Sequence, residues 1–345
     1  MMRSKIGRSI FSVGLAAITT GLTLTGWNWG TEVANAQRRK TLVIYSGRSE
    51  KLIGPLIKQA RKDLNLDIKV RYGKTSQLAI ALLEEGKNSR ADLFFAQDAG
   101  ALGALERRKR TLSIPIRTLT KVPNRYRSPR GNWIGISGRA RVIDYNTNLV
   151  KKSQLPRSIW ELTQKKWRGK VAWAPTNGSF QSFVTGMRVM YGNKKTLNWL
   201  KAMKANGAKV YPKNSAIVKA LGRGEVHLGL VNHYYLARFK KTNPRFPVAH
   251  HSTRYDAGAM INVAGVSVLR TTDQRRDSER FINYLLTRKS QSFFANKTKE
   301  YPLRKGMKSP KGQIPLSKLK SPRINLTKLH TLERTLKLLQ QAGVI

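Results

Sequence analysis

The chain of 345 residues contains no cysteine, which excludes disulfides, thiolate metal sites and a lipid-modified cysteine anchor. Carboxylates are scarce: 18 Asp and Glu stand against 66 Lys and Arg, a formal net charge of +48. So few acids are a poor basis for the acidic, aromatic-lined pocket that a polyamine needs. The five histidines (His227, His233, His250, His251 and His330) show no metal-ligand spacing beyond the His250-His251 neighbours. There is no Gly-x-Ser-x-Gly elbow and no paired carboxylates in the segments expected to face a cleft, so no enzymatic activity is expected. Long apolar runs are also missing; the one near the amino terminus, about 10–24, is too short and too rich in Gly and Thr for a membrane span.

That run reads as an export signal. Arg3, Lys5 and Arg8 precede it and Ala34-Asn35-Ala36 follows, the small-x-small pattern of a cleavage site after Ala36. A soluble protein of a Gram-negative-type periplasm is expected, beginning at residue 37.

The positive charge sits at solvent-type positions such as Lys58, Arg61, Lys62, 107–110, Lys151-Lys152, Lys165-Lys166 and Lys240-Lys241. Such a surface attracts nucleic acid or anionic membrane without specificity, through counterion release. A dedicated nucleic-acid binder is the alternative from another class. Against it, the charge is spread over the chain, and no helix-turn-helix, zinc-finger or RNA-recognition pattern appears. Gly73-Lys74-Thr75 fails as a phosphate loop because Ile68 stands where the first glycine belongs.

Strand and helix signals alternate. Strands are expected at 41–45, 68–72 and 91–95, with amphipathic helices at 51–64 and 77–85 between them. The alternation resumes with a strand at 171–173, a helix at 180–191 and a strand at 226–231. This is an α/β chain with a largely parallel sheet. Extended segments at 133–146 and 259–269 flank the second unit and read as crossings between two lobes. The expected division is 37–136 plus 266–345 for a discontinuous first lobe and 137–265 for the second, with a ligand cleft beyond the carboxyl ends of the strands.

Tyr234-Tyr235 stands at the end of an apolar run, in Leu230-Val231-Asn232-His233-Tyr234-Tyr235-Leu236. Alternate residues of a strand face opposite ways, so two adjacent phenols converge only where the strand has ended, in a loop or helix start. Phenolate oxygen is a hard donor suited to a hard trivalent cation such as ferric iron. The other reading is a half-buried aromatic pair with satisfied hydroxyls. Asn177-Gly178-Ser179 precedes the helix expected from 180. It is either an anion site at a helix amino terminus or a plain turn and cap. Asp98 either caps the following helix or supplies a weak oxygen ligand. His233 either supplements the tyrosines or, as their neighbour on extended backbone, points away.

The landmarks Tyr45-Ser46-Gly47-Arg48, Ala91-Asp92-Leu93-Phe94-Phe95, Ser137-Gly138-Arg139-Ala140-Arg141, Ala174-Pro175-Thr176-Asn177-Gly178-Ser179-Phe180, Lys213-Asn214-Ser215, Asn232-His233-Tyr234-Tyr235 and Glu300-Tyr301-Pro302-Leu303 occur in this order. On them the chain resembles the periplasmic ferric-iron-binding proteins of bacterial ABC importers over essentially its whole mature length. The resemblance implies a two-lobed type II periplasmic-binding-protein (Venus-flytrap) fold. It also implies Tyr234 and Tyr235 as ligands to transported Fe³⁺, and delivery by a monomer to an inner-membrane permease with its ATPase. In the same way it implies a synergistic carbonate, phosphate or citrate held by Asn177, Gly178, Ser179, Asn214 and Asn232, with Arg48 and Arg139 as counter-charges.

The chain departs from the family pattern at three positions. Ser49, Gln97 and Phe180 stand where some members have histidine, glutamate and a third tyrosine. Ser49, Gln97, Asp98, Phe180 and His233 remain as possible cleft residues, and the first lobe shows no obvious anionic donor. A site for phosphate or sulfate without metal is the alternative cargo, though it has no need of adjacent phenols.

Overall fold

The computed structural model describes residues 41–345. The export segment expected over residues 1–36, including cleavage after Ala36, lies outside the described residues. Eleven strands occur among the described residues: β1 (Leu42–Ser46), β2 (Ile68–Tyr72), β3 (Leu93–Ala96), β4 (Thr111–Leu112), β5 (Ile134–Asn146), β6 (Val171–Trp173), β7 (Lys209–Val210), β8 (Leu228–Asn232), β9 (Val248–His251), β10 (Ile261–Leu269) and β11 (Tyr301–Pro302). Their main order is β2-β1-β3-β10-β5-β8-β6-β7, with β4 on β10 and β9 and β11 on β5. The pairs β1–β2, β1–β3, β6–β7 and β6–β8 are parallel, as strand–helix–strand alternation dictates.

The first helix shows how the pattern becomes packing. In Glu50–Leu64, the apolar Ile53, Leu56, Ile57 and Ala60 recur at helical spacing and are buried, while Lys58, Arg61 and Lys62 stay exposed. It ends at Asn65, whose left-handed backbone (φ 51°, ψ 48°) stops the turn.

Strand β5 joins the two halves of the sheet. Its first part, Ile134 to Ala140, pairs antiparallel with β10, and Arg141 to Tyr145 pairs with β8. All thirteen of its residues are buried. Gly135 permits the close approach, since a Cβ there would meet the Tyr126 carbonyl at 2.5 Å. The segments expected to cross between lobes are therefore strands β5 and β10.

Two apolar clusters flank this junction. One gathers Leu42, Ile44, Phe94, Phe95 and Trp133; the other gathers Trp173, Phe180, Phe183, Trp199 and Leu230. The second cluster also takes Leu338, Leu339 and Ala342 from the last helix, Leu332–Gln341, and the turn after it. Residues 266–345 thus do not all pack with the first cluster, as the sequence had suggested. The chain returns to the second, and Arg188 secures the return by donating to the Thr331 carbonyl and the Thr335 hydroxyl. Among the described residues no helix is long and apolar enough to cross a membrane.

Candidate functional site

Strand β8 ends at Asn232, and the next helix, Leu236–Thr242, starts directly after Tyr235. The turn between them brings both phenols to one side, with ring centroids 4.6 Å apart and planes inclined by 31°. Both line a cavity of about 1260 Å³, as do Asn177, Gly178, Ser179, Ser49, Gln97, Asp98 and Arg139. Burial pushes the Tyr235 phenol well above its ordinary value, and the Tyr234 phenol beside it adds to the effect. Ionising Tyr235 therefore requires a strong positive charge at the ring oxygens, which a bound trivalent cation supplies.

A chain of amides leads from the tyrosines to the helix Gly178–Tyr191. Asn232 Nδ2 donates to the Tyr234 hydroxyl at 3.3 Å, and the Asn232 amide N–H donates to Asn214 Oδ1 at 3.2 Å. Asn214 Nδ2 then donates to Asn177 Oδ1 at 3.1 Å and to Ser179 Oγ at 3.2 Å. Asn177 caps the helix, its Oδ1 accepting from the Ser179 N–H. The helix begins earlier than expected, with Gly178 and Ser179 inside its first turn. A Cβ on Gly178 would meet no protein atom within 4 Å, so its bare backbone faces open cavity. Asn214 and Asn232 are buried behind this wall.

Besides Asn214 and Asn232, three further sequence candidates do not line the cavity. Arg48 is buried and paired at 2.8 Å with Glu300, whose other oxygen accepts from Ser137. Its charge is neutralised within the protein, so it is not available as an anion's counter-charge. Phe180 packs edge-on against Trp173 and beside Phe183 in the second apolar cluster. Its bulk belongs to the core. His233 points away: Nδ1 accepts from the Ala140 N–H at 3.1 Å and the ring stacks on Tyr301 at 4.5 Å. Burial pulls His233 down to about 3, so it is neutral. Asp98 is a cap, with Oδ1 accepting from Gly100 and Ala101.

Arg139 stays at the cavity, donating to the Gln97 carbonyl. Two positions further along β5, on the same face, Arg141 is buried behind the tyrosines. It donates to the Leu230 carbonyl at 2.7 Å and to Asn232 Oδ1 at 3.4 Å, with its guanidinium over the rings of Phe180 and Phe183. Burial pulls its pKa down, while Tyr234, Tyr235 and Asp144 act to hold the charge. Sequence reading quoted Arg141 only as part of a landmark. The available signal was two arginines at alternate positions of a long extended segment, Arg139 and Arg141. Glu50 and Tyr72 also line the cavity and were not singled out.

The arrangement can bind a hard cation through two phenolates and an anion beside it, with Arg139 and Arg141 as fixed positive charges. Among the described residues no group of three or more His, Cys, Asp or Glu could hold a metal ion.

A profile of the bacterial extracellular solute-binding protein family matches residues 88–319. The chain is 30% identical over 321 residues to the Fe(3+)-binding periplasmic protein of Serratia marcescens, covering 92% of this chain and 94% of that protein. It is 29% identical to Iron uptake protein A1 of a Synechocystis strain, over 99% of each. Among solved structures, iron-bound HitA from Pseudomonas aeruginosa superimposes with a TM-score of 0.80 at 29% identity, covering 88% of this chain and 99% of that one. The Trichodesmium (IdiA) (FutA) protein in complex with iron and citrate gives a TM-score of 0.77 at 27% identity, covering 89% and 100%.

Proposed function

We propose that this chain, which belongs to the bacterial extracellular solute-binding protein family, captures ferric iron in the periplasm and hands it to an inner-membrane ABC permease with its ATPase. It is a binding protein and not an enzyme. The observation that carries the reading is the phenol pair, held by a strand end over a cavity and backed by buried arginine. Tyr234 and Tyr235 bind the metal as phenolates. Carbonate, phosphate or citrate fills further positions against Gly178 and Ser179. Asn177, Asn214 and Asn232 hold that wall, and Arg139 and Arg141 supply positive charge.

The two-lobed fold lets the cavity close around this ligand. The first lobe comprises residues up to 136 and from 266 to the start of the last helix. The second comprises 137–265 with that helix added. Closure bends β5 and β10 near 137–141 and 261–266. Export follows cleavage after Ala36, and the protein acts as a monomer. The oxyanion and nucleic-acid readings are not favoured. Neither uses the adjacent phenols, and the relatives named above are iron proteins.

The test is to add ferric citrate to purified protein and record visible absorbance and small-angle scattering together. A phenolate-to-iron charge-transfer band accompanied by a smaller radius of gyration is expected. Colourless protein of unchanged radius contradicts the reading.

A further inference from the structure

We propose that this protein has a second anion-binding site, at the end of strand β3 remote from Tyr234 and Tyr235, for a compact polyanion of the pyrophosphate class. A cavity of about 270 Å³ lies there, with Lys87, Arg110, Arg270 and Thr271 in its wall, and no carboxylate among the described residues lines it. It shares no residue with the cavity of the phenols. The helix Thr75–Glu85 runs from one to the other: Thr75 and Ser76 line the first, Leu82 and Gly86 the second. Strand β3 lies between them in the same way. Gln97, just past its carboxyl end, faces the phenols, while Leu269, whose N–H donates to the Asp92 carbonyl before its amino end, lines the other cavity. The proposal is therefore independent of the iron reading.

Three separate elements bring the cations together. Lys87 follows the helix Thr75–Glu85, Arg110 stands between the helix Ala99–Arg107 and β4, and Arg270 follows β10. Strand β4 pairs with β10, and the Arg270 N–H donates to the Arg110 carbonyl at 2.9 Å, so the two arginines are held side by side. Arg270 Nε donates to the Lys109 carbonyl at 3.0 Å, which fixes the side chain and leaves its terminal nitrogens for a ligand. Arg110 is half-buried, yet its guanidinium makes no hydrogen bond or ion pair among the described residues. It lies against Gly86, where a Cβ would come within 3.3 Å of Arg110 Nη2. Glu85, at the end of the same helix, pairs with Arg71 at 3.0 Å and does not line the cavity. Helix carboxyl ends favour nearby cations. That accounts for Lys87 and Arg110 singly, but not for an unpaired guanidinium sharing one cavity with two further cations. Like charges converging on one space repel, and an anion between them turns the repulsion into attraction. Planar guanidinium groups match phosphate oxygens, with Lys87 as a point charge beside them. Two arginines and a lysine thus fit two linked phosphoryl groups better than one.

The general positive field of the chain is the competing explanation, so the test needs a control of equal charge change. Pyrophosphate, inorganic phosphate and citrate are titrated calorimetrically, at one ionic strength, into iron-free wild type, Arg110→Gln, Lys87→Gln and Lys201→Gln. Lys201 is exposed on the helix Asn193–Ala205 and lines neither cavity. Hydrogen exchange with and without pyrophosphate locates the ligand, and separates this site from any binding at 177–182. In wild type, pyrophosphate should protect 86–89, 109–112 and 269–271 and bind more tightly than phosphate or citrate. Arg110→Gln should weaken that binding by about tenfold or more, Lys87→Gln should weaken it less, and Lys201→Gln should leave it unchanged. Urea unfolding checks the fold of Arg110→Gln. Lys87 is exposed, so its variant carries the test should Arg110→Gln not fold. No protection at these segments, or equal weakening by Lys87→Gln and Lys201→Gln, would overturn the proposal. Citrate binding as tightly as pyrophosphate would overturn the assignment to phosphate.

Discussion

Asn232 and Tyr234 are two residues apart in the chain and joined through their side chains, the amide of Asn232 donating to the Tyr234 hydroxyl at 3.3 Å. The contact places the end of a hydrogen-bonded chain at the phenol proposed to bind the metal. The other end is the cap of the helix Gly178–Tyr191. The proposed cation and anion sites are thus joined by one polar network.

Asn214 is the centre of that network, since it accepts from Asn232 and donates to Asn177 and Ser179. Asn214→Ala leaves a buried N–H without its acceptor and should cost about 1–3 kcal/mol of stability. It should also weaken anion-assisted iron binding more than binding without added anion. Urea unfolding and iron titrations with and without bicarbonate, at matched ionic strength, check both parts.

Gly178 separates folding from binding. Because a Cβ there meets no protein atom within 4 Å, Gly178→Leu should leave the melting temperature within a few degrees of wild type. The new side chain extends into the cavity where the anion is proposed to lie. Iron affinity in bicarbonate or citrate should fall by about tenfold or more, on the order of 1.4 kcal/mol. Isothermal titration measures it.

His233 sets an acid limit on stability. Its folded pKa, about 3, is depressed below the unfolded value near 6.5. The stability from keeping it neutral is present above pH 6.5 and is lost as pH falls from there towards 3, by about 1.4 kcal/mol per pH unit when fully developed. His233→Gln keeps an acceptor for the Ala140 N–H and should flatten the slope by one proton's worth. Urea unfolding of apo protein at a series of pH values reads this directly.

Much of the framework was legible in sequence because it rests on local pattern. The helical spacing of Ile53, Leu56, Ile57 and Ala60, the alternation of strands and helices, and the placing of Tyr234-Tyr235 after a strand need no distant partner. What was missed depends on distant partners. Arg48 reads as a free cation until Glu300 is found 252 residues away. Phe180 reads as a cleft residue until Trp173, Phe183 and Arg141 enclose it. The last helix could be assigned to the second core only once Leu338 and Leu339 were seen packed there.

The central claim is that the two adjacent phenols are the iron ligands. The most direct measurement is a ferric titration of the Tyr234→Phe, Tyr235→Phe double variant beside wild type, following the visible charge-transfer band and affinity by chelator competition. The rings stay in place, so the fold should survive. The account predicts that the band disappears and affinity falls by orders of magnitude, each single variant lying between. A double variant that still turns coloured and binds iron as wild type does would contradict it.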